Sequence, residues 1–94
     1  MGAAGPIDEY SEIADQQLDI LERALDSRSY NAVLKICGEI LDTPHEIRKF
    51  SSVLTTNEGL RFAMPVSGEY PYKIFWSMSQ AGICRIEAVF PFPH

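Results

Sequence analysis

Residues that could carry out acid–base, nucleophilic or metal chemistry are few and lie far apart in this sequence. His45 stands beside a predicted helix start and His94 is the last residue, while Cys37 and Cys84 form no C-x-x-C pair. A zinc site gathers about four ligands, and a Ser–His–acid triad needs a base beside its nucleophile. The sequence indicates neither arrangement, and it lacks the glycine-rich phosphate loops GxGxxG and GxxxxGK[ST]. We therefore predict no catalytic residue, no metal and no cofactor.

The two cysteines and the lengths of the apolar runs indicate the cellular compartment of the protein. Cys37 falls on the apolar stripe of a predicted helix and Cys84 within a predicted strand, so we expect both to be buried free thiols, with a single disulfide between them as the alternative. Free thiols fit a reducing cytoplasm. The longest apolar runs are far below the roughly 18 residues of a membrane span, and no basic and apolar leader opens the chain. We expect a cytoplasmic protein.

Charge is unevenly distributed along the chain. The net charge is −5, yet residues 1–26 hold seven acids and one base, which gives −6, and residues 27–94 hold six acids and seven bases, which gives +1. Within the acidic segment, Asp15, Asp19 and Glu22 are candidate contacts for a basic partner. The alternative is an ordinary solvated helix face. The overall acidity disfavours nonspecific nucleic-acid binding.

A second candidate surface comes from the odd-numbered positions of three predicted strands. Arg61, Lys73, Phe75 and Arg85 would form a basic stripe that contains one aromatic ring. Such a stripe could contact an acidic partner or a phosphate backbone. The alternative is ordinary strand polarity in which Glu87 pairs with Arg85 or Lys73.

The pattern of residues 7–51 predicts helices, and the first of these would carry the candidate contacts Asp15, Asp19 and Glu22. Apolar residues recur at three- and four-residue steps from Ile7, and a second stripe covers residues 29–41. The sequence TPHE, residues 43–46, predicts a capping box that opens a third helix over residues 44–51.

Beyond the loop TTNEG, residues 55–59, the apolar period changes from 3.6 to 2. Three alternating segments within residues 60–90 predict an antiparallel β-meander. Its even-numbered positions, including Phe62, Ile74, Trp76, Ile86 and Phe90, should face the helices. We predict a single α+β domain over residues 1–94, with two to three N-terminal helices on one face of a three-stranded meander. Residues 1–6 should be flexible and residues 91–94 a tail.

The meander resembles the RelE/ParE superfamily of toxins from bacterial toxin–antitoxin systems. The similar stretch is GLRFAMPVSGEYPYKIFWSMSQAGICRIEAVF, about a third of the chain. The matching positions are Leu60-Arg61, Pro65-Val66, Tyr70-Pro71-Tyr72, Ile74, Trp76, Ile86 and Ala88-Val89. The resemblance implies a helix–helix–meander scaffold. It also implies either ribosome-dependent messenger-RNA cleavage or, as for ParE-type members, poisoning of gyrase through protein contacts.

Three departures from the family pattern argue against RNA cleavage. MGAAGP cannot supply the strand that precedes the first helix in family members, the chain ends in FPFPH instead of basic residues, and its pI is about 4.8. What the resemblance implies is then a protein-binding role toward an antitoxin or a target. A missing first strand would also leave a sheet edge open to an antitoxin, a target or a second copy.

Three hypotheses of function follow from the sequence. The first is a non-enzymatic, toxin-like inhibitor of a bacterial target that binds protein. The second is a small acidic inhibitor, immunity-type or phage-encoded adaptor, whose acidic first helix binds a nucleic-acid-processing partner. The third is a sheet that contacts RNA through Arg61, Lys73, Phe75 and Arg85, which the acidity of the chain disfavours.

Overall fold

Helices precede strands throughout the part of the chain that the computed structural model describes, namely residues 9–56, 59–66, 72–79 and 82–91. The helices are α1 (Glu12–Ala24), α2 (Ser27–Asp42) and α3 (Pro44–Arg48). The strands are β1 (Ser52–Thr56), β2 (Gly59–Pro65), β3 (Tyr72–Met78) and β4 (Cys84–Pro91), antiparallel in the order β1-β2-β3-β4. The predicted α+β class is confirmed, but the meander has four strands instead of three. The predicted flexible residues 1–6, and residues 92–94 of the predicted tail, lie outside the described residues.

The segment before α1 pairs with the sheet instead of extending the helix. Tyr10 forms a parallel bridge with Ile86, and Ser11 caps α1 because its Oγ accepts the Ala14 N–H at 2.9 Å. The prediction of a helix from Ile7 is therefore wrong at Tyr10, where the apolar spacing reflects packing of an extended segment. Ile7 itself lies outside the described residues.

The third helix is shorter than predicted. Asp26 caps α2 through the Ser29 N–H at 2.7 Å, and α3 follows after Thr43 but ends at Arg48. The expected capping box does not form, since the Thr43 hydroxyl donates back to the Glu39 carbonyl at 3.1 Å. The prediction of helix as far as residue 51 is therefore wrong at its C-terminal end, because α3 stops at Arg48 and β1 begins at Ser52.

The strand that was not predicted, β1, lies partly where the sequence predicted a loop. Thr55 and Thr56 belong to β1, and Gly59 begins β2. β1 is rich in β-branched Val and Thr, which favour extended backbone. Asn57 and Glu58 lie outside the described residues.

The core forms between the helices and one face of the sheet, the inner sheet face. Phe62 and Trp76 stack there with ring centroids 4.3 Å apart, and the Arg48 guanidinium lies 5.3 Å from the centroid of the Phe62 ring. The buried set from both layers is Ala14, Leu18, Val33, Cys37, Ile40, Ile47, Phe62, Val66, Ile74, Trp76, Ile86 and Val89.

A β-bulge in β4 reverses the predicted alternation. Phe75 pairs with Ala88 and Trp76 with Ile86, which leaves Glu87 as the extra residue. Beyond the bulge Val89 faces the core, whereas Phe90 faces away from it and is 46% exposed. The prediction that Phe90 faces the helices is therefore wrong, because one inserted residue shifts the period-2 pattern by one position.

The two edges of the sheet differ. At the β4 edge, the Ile86 N–H donates to the Glu9 carbonyl at 2.8 Å, the Ser11 N–H donates to the Ile86 carbonyl at 2.9 Å, and the Val89 N–H donates to Gln17 Oε1 at 2.6 Å. β1 forms the other edge, and no strand of the described residues pairs with its outer side. The sequence predicted an open sheet edge without specifying which one. Residues 9–11 and Gln17 occupy part of the β4 edge, whereas the outer side of β1 has no paired strand among the described residues.

Candidate functional site

Four predicted contact residues share the face of the sheet opposite the helices, which we call the outer sheet face. Ser77 pairs with Arg61 on one side and Arg85 on the other, so the Cα atoms of the two arginines lie about 10 Å apart. Phe75 occupies the next position along β3 on this face, and Lys73 the one after it. The structure therefore brings Arg61, Lys73, Phe75 and Arg85 together on one surface.

Glu87 introduces one negative charge into this basic face. Its Oε2 accepts the Ser77 hydroxyl at 2.6 Å and lies 3.6 Å from Nη1 of Arg61. The sequence predicted pairing with Arg85 or Lys73 instead. The bulge explains the difference, since it places Glu87 beside the row that contains Ser77 and Arg61. Among the described residues of the outer sheet face, this carboxylate lies beside three cationic side chains, those of Arg61, Lys73 and Arg85.

Arg85 holds a buried donor. Its Nε atom is inaccessible to solvent and has no hydrogen-bond partner among the described residues. A buried donor without an acceptor costs about 1–3 kcal/mol.

Phe90 is a surface residue that sequence reasoning missed. Its ring meets Phe75 edge-on with centroids 5.7 Å apart and planes at 72°, and it pairs in register with Lys73. The sequence shows the alternation but not the bulge, and so it assigned Phe90 to the core. The outer sheet face consequently carries an aromatic pair beside its cations.

The predicted acidic residues line a groove between α1 and α2. Asp15, Asp19 and Glu22 border this groove of about 610 Å³, which we call the acidic groove. Asp19 also forms an exposed ion pair with Arg23 at 2.8 Å, a kind of contact that contributes little to stability. The other described residues that line the groove are Tyr10, Gln16, Leu18, Tyr30 and Leu34.

Two tyrosines make the acidic groove partly aromatic, which the sequence did not reveal. Burial is the main cause that raises the pKa of Tyr10 to about 12. Burial first, and then the charges of Glu22 and Asp19, raise the pKa of Tyr30. Both phenols therefore stay neutral at physiological pH, and the groove combines carboxylates with aromatic rings, the combination that receives cationic side chains.

The cysteines are free thiols in separate environments. Burial raises the pKa of the Cys37 thiol to about 12 and that of Cys84 to about 11. Cys84 Sγ lies 3.7 Å from the Ile40 carbonyl oxygen. Neither thiol is poised as a nucleophile, because a reactive cysteine needs a lowered pKa.

Other site types have little support within the described ranges. No group of three or more His, Cys, Asp or Glu side chains there is arranged to hold a metal ion. No helix in those ranges has the length and apolar character that a membrane crossing requires.

Comparison with known proteins yields no relative for this chain: no protein-family model, no curated protein and no solved structure matches it.

Proposed function

We propose that this chain is a non-enzymatic protein-binding module on a RelE/ParE-like scaffold, which acts as a toxin-like inhibitor of a bacterial target through its outer sheet face. The observation that carries the proposal is the grouping of Arg61, Lys73, Arg85 and the Phe75–Phe90 pair on a face that no described helix covers.

The chemistry of this face indicates the kind of partner. Arginine and aromatic residues dominate the energetics of protein interfaces. Basic side chains on a surface attract an acidic partner surface, and arginine binds carboxylates with particular strength. The aromatic pair calls for apolar side chains. The partner surface is therefore acidic with apolar residues, as on the amphipathic segment of an antitoxin or the acidic patch of a target.

The scaffold part of the proposal draws on the order of elements. Family members carry a strand before the first helix that pairs with the meander, and here residues 9–11 pair with β4 at Ile86. This contact supports the likeness at the position where the sequence pattern departed from the family. The extra strand β1 remains a departure.

A second function is favoured by the acidic groove. Asp15, Asp19 and Glu22 lie beside Tyr10 and Tyr30, an arrangement suited to lysine or arginine side chains of a nucleic-acid-processing protein. In this case the chain would be an acidic inhibitor or adaptor that occupies the partner's basic surface.

Expression in a bacterium under an inducible promoter, with growth and plasmid supercoiling as readouts, tests both functions. We expect the wild-type chain to arrest growth and the outer-face variant Lys73→Glu/Phe90→Ser to restore it, since this variant reverses one charge and removes one aromatic ring of the interface. The control Arg28→Glu/Ile13→Ser also reverses one positive charge and replaces one exposed apolar side chain by serine, at exposed helix positions, and should still arrest growth.

The outcomes separate the two functions. The acidic groove would be favoured over the outer sheet face if growth were restored by Asp15→Asn/Asp19→Asn/Glu22→Gln while the outer-face variant still arrested it. Normal growth and unchanged supercoiling with soluble wild-type protein would overturn the inhibitor proposal. Immunoblots of the soluble fraction establish that each variant accumulates to the same level.

A further inference from the structure

The outer side of β1 presents backbone groups that no described residue uses. β1 is the terminal strand of the sheet, and it pairs only with β2. In an antiparallel ladder every second residue of an edge strand directs its N–H and C=O away from its neighbour. Such an edge is a template for another strand.

This edge lacks the features that usually prevent strand pairing. Natural edge strands are protected by charged residues, proline or bulges. The sequence of β1, SVLTT, contains no charge, proline or glycine, and its register with β2 runs without a shift. By contrast, residues 9–11 and Gln17 cover part of the β4 edge.

Exposed apolar side chains concentrate around the same edge. Four of the eight large apolar residues that are exposed in the described ranges lie in or next to the β1–β2 hairpin: Phe50, Val53, Leu54 and Leu60. Val53 is 53% exposed on the inner sheet face and Leu54 is 41% exposed on the outer sheet face. An occupant must therefore cover apolar groups on both faces at once, which a strand lying in the plane of the sheet does.

Charge favours a second copy of this chain as the occupant. Antiparallel pairing about a two-fold axis sets β1 against an identical uncharged strand, so no like charges within the strands oppose each other. The net negative charge lies in or before α1, because residues 1–24 hold six acids and one base and the rest of the chain holds seven of each. α1 packs against β4 at the far side of the sheet. Two copies joined at β1 thus keep their acidic helices apart.

We propose that β1 pairs antiparallel with β1 of a second copy, which joins two four-stranded sheets into one continuous sheet. The outer sheet faces of the two copies then adjoin. This dimer does not depend on the inhibitor function, and it is tested on purified protein alone.

Sedimentation equilibrium over a range of concentrations tests the dimer. We expect the wild-type mass to rise from monomer to dimer with concentration, and Val53→Lys to weaken association by about tenfold or more, because it places a charge at the edge. The matched control Ile20→Lys puts the same charge at a similarly exposed isoleucine on α1 and should leave the dissociation constant unchanged. A wild-type chain that stays monomeric at its highest soluble concentration, or equal weakening by both substitutions, would overturn the proposal.

Amide hydrogen exchange of the wild-type chain provides a test that needs no substitution. We expect peptides covering β1 to exchange more slowly at high than at low concentration, because the outward N–H groups become hydrogen-bonded, while peptides of α1 stay unchanged. Concentration-independent exchange in β1, alongside association by sedimentation, would place the contact elsewhere and also overturn the proposal.

Discussion

Trp76 connects the sheet to the end of the helical region through a single side chain. It is fully buried and stacks on Phe62, and its Nε1–H donates to Ser51 Oγ at 3.2 Å. The Ser51 hydroxyl in turn donates to the Ile47 carbonyl of α3 at 2.9 Å. Ser51 therefore fixes the position at which the chain leaves α3 and enters β1.

Substitutions at these two residues should reveal their coupling. Trp76→Phe removes the indole N–H and part of the buried ring, and we expect the free energy of unfolding to fall by about 1–3 kcal/mol. Ser51→Ala leaves the indole N–H without its acceptor and should cost about 1–2 kcal/mol. Urea denaturation followed by circular dichroism measures both.

The double variant is the control for this interaction. If Trp76 and Ser51 act through their hydrogen bond, the double variant should lose less stability than the two single losses combined. Strict additivity would mean that the bond contributes nothing and that only packing of the ring matters.

Among the elements, α1 depends on the sheet for its N-terminus. Ser11 Oγ accepts the Ala14 N–H and also donates to the Glu87 carbonyl at 2.6 Å. One buried hydroxyl thereby caps the helix and attaches it to the bulge of β4. This contact therefore ties the helix that carries the acidic groove to the strand that carries Glu87.

Loss of this cap should destabilise the whole domain. We expect Ser11→Ala to lower the free energy of unfolding by about 2 kcal/mol, since it removes a helix cap and a buried hydrogen bond. Asp26→Ala removes the exposed cap of α2, where water can replace the carboxylate. Thermal unfolding of both variants compares the two caps. The midpoint should fall less for Asp26→Ala than for Ser11→Ala, and an equal or larger fall for Asp26→Ala would contradict the assigned role of Ser11.

At the scale of the molecule, two surfaces of opposite charge lie on separate layers. The acidic groove belongs to the helical layer, and the basic outer sheet face lies on the far side of the sheet. Between them the core buries Cys37 completely and Cys84 and Tyr10 in part. The native fold therefore keeps three weak acids in their neutral form.

Stability should decline in alkali for this reason. Burial raises the pKa of Cys37 from 9.0 to about 12, of Cys84 from 9.0 to about 11 and of Tyr10 from 10.0 to about 12. The stabilisation from these neutral groups is fully present below the unfolded pKa values and is lost as the pH rises toward the folded values, because the unfolded chain releases protons that the native chain retains.

Urea midpoints near neutral pH and at about pH 10.5 measure this decline. We expect the free energy of unfolding to fall by at most about 1.4 kcal/mol per pH unit for each retained proton. Cys37→Ala lowers stability at both values but should show a smaller decline between them. An identical decline in the wild type and in this variant would show that Cys37 does not contribute.

The predicted fold and the structure agree on features that depend only on residues close together in the chain. The apolar stripes of the helices and the change of period from 3.6 to 2 follow from single side chains and their neighbours in the chain. Disagreement begins where distant segments compete, as at Tyr10, where a backbone pairing with Ile86 replaces a further turn of helix.

Residue type and period are enough to specify the α+β class, the alternation that places Arg61, Lys73 and Phe75 on one face, and the acidity of α1. The bulge at Glu87, the outward position of Phe90 and the edge formed by β1 are seen only in the folded chain. These features depend on register and on which strand has a neighbour. Both are set by packing between segments far apart in the chain, which no local pattern records.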